Sequence, residues 1–175
     1  MIAPEWSHRL PIERIGSDAV HHDLIASEAE CVALAKRFGL IAIDRLHARL
    51  DLRSDGNDPI ATGRILADVT QACIATGEPV AQTIDAPMAI RFVDLSVIDT
   101  EDLELEPSDH DEMEHDGYAV DLGEAAAQTL ALALDPYPRS PAAAAALKAA
   151  GVIEENDMVS GAFAGLKGLL DSGSR

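Results

Sequence analysis

The densest run of side chains able to do chemistry lies between Asp99 and Asp116. Ten acidic residues fall there with no Lys or Arg among them, and His110 and His115 sit near its end. Carboxylates and imidazoles are ligands for divalent cations, so a small metal-binding protein or enzyme would draw on His110, His115 and their acidic neighbours. The run Asp109-His-Asp-Glu-Met-Glu-His-Asp116 matches neither an HExxH pair nor a calcium loop. Catalysis also needs groups held in place. Self-repulsion of this density predicts an extended, mobile loop over 99–116, solvated and able to mimic a polyanion toward a basic protein. No metal or cofactor is expected.

Two other groups invite chemistry. His21 and His22 are adjacent, and neighbours on a strand face opposite ways, so two solvent-facing histidines fit better than one ligand pair. Cys31 and Cys73 are the only cysteines. In an unexported chain a lone pair reads as reduced and structural rather than as a disulfide. Arg45, His47, Arg49 and Arg53 share one strand face, and Arg64 can join them from the next strand. They form the one candidate basic patch for RNA or another partner. The plainer reading is cross-strand pairing with Asp51 and Asp68.

The elements that must position these groups follow from periodicity. Ile65, Ala67 and Val69 alternate along one limb, and Val80, Ile84, Met88, Ile90 and Phe92 share one parity along another. Between them Cys73-Ile-Ala-Thr76-Gly77-Glu78-Pro79 supplies turn formers, so a long hairpin is predicted. Upstream, Leu46, Leu50 and Leu52 alternate with charged residues, whereas Ile41 and Ile43 have the other parity. A bulge near Asp44-Arg45 reconciles the halves. Ser54 to Pro59 is a turn, and short connections make these strands antiparallel neighbours.

Ser27 to Glu30 is a capping box, and Cys31, Leu34, Ala35 and Phe38 follow at helical spacing until Gly39. This predicts a helix over about 28–38 with Cys31 on its buried face. Asp121-Leu-Gly-Glu124 reads as a second capping box, opening a helix whose stripe is Leu122, Ala126, Thr129, Leu130 and Ala133. Trp6 to Ile12 can be an edge strand, because Pro11 cannot donate to a ladder. After Pro141 an alanine run leads to a tail in which Phe163, Leu166 and Leu170 are spaced to dock as a weak helix.

Composition narrows the classes. The chain has 175 residues, enough for one domain with a real core. Aromatics are only 3%, so that core must be aliphatic and rich in small residues. The formal charge of −18 repels a nucleic-acid backbone, which favours basic proteins as partners and argues against DNA. No apolar run is long enough to span a membrane, and the first residues lack the pattern of a signal peptide, so a cytoplasmic protein is expected.

Several ordered segments resemble one family. They are Cys73-Ile-Ala-Thr-Gly-Glu-Pro79, Ile84-Asp85 to Ile90-Arg-Phe92, Val120-Asp-Leu-Gly-Glu124 with Leu130-Ala-Leu-Ala-Leu134-Asp-Pro136-Tyr-Pro138, and Ala162-Phe-Ala-Gly-Leu-Lys167. Together they resemble the YceD family, the bacterial large ribosomal RNA subunit accumulation proteins, from about Leu40 to Lys167. The resemblance implies a non-enzymatic role in accumulating large-subunit ribosomal RNA; the family name points to the RNA precursor, whereas the charge points to a basic ribosomal protein. Many members carry Cys-x-x-Cys at the hairpin turn. Here Cys73 matches the first cysteine and Thr76 replaces the second, which leaves Cys73, Thr76, Gly77 and Pro79 as a structural turn.

The expected architecture is α+β: an antiparallel sheet able to curl toward a barrel, including the amino-terminal segment, with two main helices packed on it. A single domain over 1–141 and an alanine-rich helical extension over 142–175 complete it. An interaction domain unrelated to ribosomes is the remaining alternative.

Overall fold

In the computed structural model, which describes residues 4–56, 58–94 and 110–152, the chain opens with β1 (Arg9–Pro11), one 3-10 turn (Ile12–Arg14) and β2 (Val20–Ile25). Then come α1 (Glu28–Phe38), β3 (Ala42–Asp55), β4 (Asp58–Ala72) and β5 (Pro79–Asp94). The remainder is β6 (Asp111–His115), β7 (Ala119–Asp121), α2 (Leu122–Ala133) and α3 (Ala143–Ala149). The parity change at Asp44 appears as a register shift between Ile43 and Arg45. The hairpin read from Ile65 to Phe92 is β4 and β5, which pair antiparallel from Ile60 opposite Arg91 to Ala72 opposite Pro79. The main sheet runs β2-β3-β4-β5-β6 and stays open, with β2 and β6 at its edges.

One face of this sheet is covered by helices. α1 packs on β3, and α2 on β4 and β5. The Ser27 hydroxyl and the Glu30 carboxylate cap α1 reciprocally, and Gly39 ends it at φ 67°. Cys31, Leu34 and Ala35 face inward from it. α2 buries Leu122, Gly123, Ala125, Ala126, Ala127 and Leu130, a wider stripe than helical spacing alone indicates. Its small residues let the helix backbone approach the sheet, where Phe92, Ile65, Leu46 and Leu50 complete the core. Trp6 joins that core from the amino-terminal segment at 4% exposure.

Three expectations need correction. The amino-terminal strand does not extend the main sheet: β1 pairs with β7 in a separate two-stranded sheet. Asp121 accounts for this, since its carboxylate accepts the Ser7 hydroxyl and the His8 amide and holds the segment beside β7. The acidic stretch is not all loop. Residues 99–109 lie outside the described residues, but 111–115 form β6, parallel to β5, with Met113 opposite buried Phe92. Met113 packs against the core while Asp111, Glu112 and Glu114 stay in solvent, so an apolar anchor outweighs the charge repulsion.

The second capping box is only half made. Asp121 accepts the amides of Gly123 and Glu124, but the Glu124 carboxylate turns to Arg37 at 2.7 and 2.8 Å instead of back to the cap. That bidentate pair joins the last turn of α1 to the first turn of α2, where both helix dipoles favour it. Arg37, in turn, holds the Glu124 carboxyl below its ordinary pKa. The alanine run forms α3, which ends just before Gly151 at φ 82°. Phe163, Leu166 and Leu170 lie outside the described residues.

Candidate functional site

The face of the sheet opposite the helices carries every residue of the candidate patch. Cross-strand neighbours share a face, so the register places Arg45 beside Asp68, His47 beside Leu66, Arg49 beside Arg64 and Arg53 beside Ile60. Arg45 meets Asp68 at 3.0 Å, Arg64 meets Asp85 at 2.7 Å and Arg53 approaches Asp55 at 3.7 Å. His47 pairs with Asp23 on β2, and that contact, more than any other, lowers the Asp23 pKa. Asp51 pairs with His21 at 3.0 Å rather than with an arginine.

Arg49 differs from the rest. Among the described residues it has no carboxylate within ion-pair distance, and it stands directly opposite Arg64. Like charges placed so are mutually destabilising. The patch is thus a mosaic of arginines paired with aspartates, in which Arg49 makes no ion pair but lies opposite Asp23 across β2 and β3 and helps to lower the Asp23 pKa. Exposed pairs of this kind add little stability but cancel the local field. Asp23 and Asp85 were not in the sequence-derived set; their signal was strand parity, which puts them on the face of Arg49 and Arg64.

The hairpin turn forms a second polar centre. Gly77 adopts φ 73° and its amide reaches the Cys73 carbonyl at 2.8 Å, while the Cys73 amide reaches the Glu78 carbonyl at 2.8 Å. Thr76, in the position of the second family cysteine, hydrogen-bonds the Glu78 carboxylate at 3.1 Å and Ser140 at 3.2 Å. Pro79 starts β5. The Ser140 hydroxyl also donates to Glu78 at 2.7 Å, so a segment 64 residues away closes the turn. Ser140 could not be found from sequence, since nothing in Pro138-Arg-Ser-Pro141 names its partner.

Cys73 is buried, and its sulfur accepts the Ser140 amide at 3.2 Å. That amide foremost, then the Thr76 hydroxyl, outweighs burial and brings the thiol pKa down to about 6. Cys31 behaves oppositely: burial pushes its pKa up. Both cysteines are free thiols. In a Cys31→Ala chain the ultraviolet thiolate absorbance of Cys73 should therefore titrate with a midpoint near pH 6. Thr76→Val should raise that midpoint. A midpoint at the ordinary thiol value with Thr76 in place would refute this account.

The histidines divide as strand geometry requires. His21 faces Asp51, whereas His22 turns to the other side, its ring 6.0 Å from that of His8. Burial, then His8 and His21, lowers the His22 pKa. His115 uses Nδ1 to accept the Gly117 amide at 3.0 Å, a turn role. Asp116 accepts the amides of Ala119 and Tyr118 and pairs with Arg9, contacts that hold its pKa at about 2. Among the described residues no three His, Cys, Asp or Glu side chains are grouped to hold a metal ion.

A family model described as Large ribosomal RNA subunit accumulation protein YceD matches residues 61–170. No curated protein and no solved structure matches the chain.

Proposed function

Because the chain belongs to the YceD family, we propose that it is a non-enzymatic factor for large-subunit ribosomal RNA accumulation that works by binding a basic ribosomal protein during assembly. The family match supports the ribosome-related role. The observation that favours a protein partner is the pairing of the patch: Arg45, Arg53 and Arg64 each have an aspartate within 4 Å, and His47 has Asp23. A chain of formal charge −18 whose arginines are so occupied offers phosphates little net attraction. The same charge attracts a basic protein and steers its approach. This reading places the protein in the cytoplasm, where ribosomes assemble. No helix among the described residues is long and apolar enough to cross a membrane.

A second reading is direct binding of the RNA precursor, and one observation favours it. Arg49, which makes no ion pair among the described residues, stands beside Arg64 across β3 and β4, so the two guanidinium groups can share one phosphate.

Affinity purification at low salt, with and without nuclease, separates the two. Large-subunit ribosomal proteins should copurify and persist after nuclease. Their loss on nuclease treatment would move the function to RNA, with Arg49→Ala then expected to weaken binding. If neither ribosomal proteins nor large-subunit precursors are enriched, the assembly role itself falls.

A further inference from the structure

The molecule carries a groove, outside the arginine patch, whose floor belongs to the core and whose rim is charged. It runs between α1 and the start of β3, with a volume of about 660 Å³. Its floor is Ala26, Cys31, Ala35 and Ile43, all buried. On its flanks stand Val32 and Ile41, which are 66% and 53% exposed. Large aliphatic side chains left in water on both sides of an apolar floor favour insertion of an apolar side chain from elsewhere.

The chemistry of the rim selects the occupant. Glu28 and Asp44 line the groove, opposed only by Lys36, and among the described residues neither acid has an ion-pair partner. The register shift between Ile43 and Arg45 creates the arrangement. It turns Ile43 into the floor and leaves Asp44 exposed, the kind of re-aiming that bulges perform. A second copy of the chain brings a charge of −18 to this rim. The chain's own residues 153–175 hold four acids against two bases and are disfavoured for the same reason.

We infer that this groove is a docking site for a basic protein segment that inserts an apolar side chain between Val32 and Ile41 while its cations meet Glu28 and Asp44. The inference rests on the protein-binding reading of function and names the surface that carries it. Its lining residues, Ala26 to Asp44, precede the matched residues 61–170.

The test immobilises the full chain and measures retention of a mixture of large-subunit ribosomal proteins freed of RNA. Val32→Ser and Ile41→Ser remove exposed aliphatic side chains without changing charge, and each should lower retention about tenfold. Glu28→Gln with Asp44→Asn removes the two rim charges at nearly constant size and should do the same. Ile74→Ser, at an equally exposed aliphatic on the hairpin turn, should leave retention unchanged. A thermal melt of each variant separates lost binding from lost fold. Retention by the unaltered chain that all groove variants preserve would overturn the groove and leave the functional reading intact. No retention by the unaltered chain would overturn both. A chain truncated after Val152 that retains about tenfold more protein would identify the carboxy-terminal segment as the occupant and overturn the inference.

Discussion

Gly63→Ala should destabilise the protein by about 4 kcal/mol, at the upper end for overpacked sites. Gly63 lies in the middle of β4, opposite Leu50 on one side and Met88 on the other. A Cβ built there falls 2.0 Å from the Arg49 carbonyl oxygen and 2.9 Å from the Leu50 Cα. Both are backbone atoms, so no side chain can rotate away. The strands must separate, and they do so beside Leu50 and Met88, which are 0% and 2% exposed. The loss then combines weakened ladder bonds with disturbed core packing. Urea denaturation measures it, and for a chain of this size a melting temperature lower by roughly 10 °C should accompany it. Gly16→Ala is the control, since nothing lies within 4 Å of its added carbon. A cost below about 1 kcal/mol would mean that β3 and β4 shift freely at this point.

The close approach at Gly63 was not legible in the sequence, whereas the strands around it were. Alternation fixed the faces of Ile65 and Phe92, and the clash of parity between Ile43 and Leu46 located the bulge. These are local signals, because a strand with one wet face repeats every two residues. The capping box at Ser27 was legible for the same reason, since donor and acceptor lie within one turn. What escaped was decided by distant partners. Glu124 has the spacing of a box residue, but Arg37 offers it two charged donors. Asp111 to His115 reads as a solvated acidic run until Met113 finds its place opposite Phe92.

The arginine patch shows both sides of this. That Arg45 pairs with Asp68 was readable, because both lie on the wet face of adjacent strands. That Asp51 serves His21 depended on β2 being a strand in register with β3. The groove beside α1 was invisible as a site: its residues appear in the sequence as a helix face and the first turns of a strand. Only the bulge at Asp44, which the parity change located, marked the place.

Asp121→Ala should cost about 3 kcal/mol, because it removes a helix cap and strands a further backbone donor. The Asp121 carboxylate serves two segments at once. Through Oδ1 it accepts the Gly123 and Glu124 amides at 3.1 and 3.2 Å, capping α2, and the His8 amide at 2.8 Å. Through Oδ2 it accepts the Ser7 hydroxyl at 2.5 Å. It therefore fastens the segment carrying Trp6 to the start of a helix that supplies Leu122 and Leu130 to the core. Gly123 makes the same junction possible from the other side, since an added Cβ would lie 2.8 Å from the Trp6 carbonyl oxygen. Asp121→Asn keeps one acceptor oxygen for the three amides and should lose only about 1 kcal/mol, chiefly charge at the helix end. The denaturation midpoints of the two variants thus divide geometry from charge. Equal losses would assign the junction to electrostatics, and a near-neutral Asp121→Ala would mean that β1 pairing and Trp6 burial hold the segment without the carboxylate.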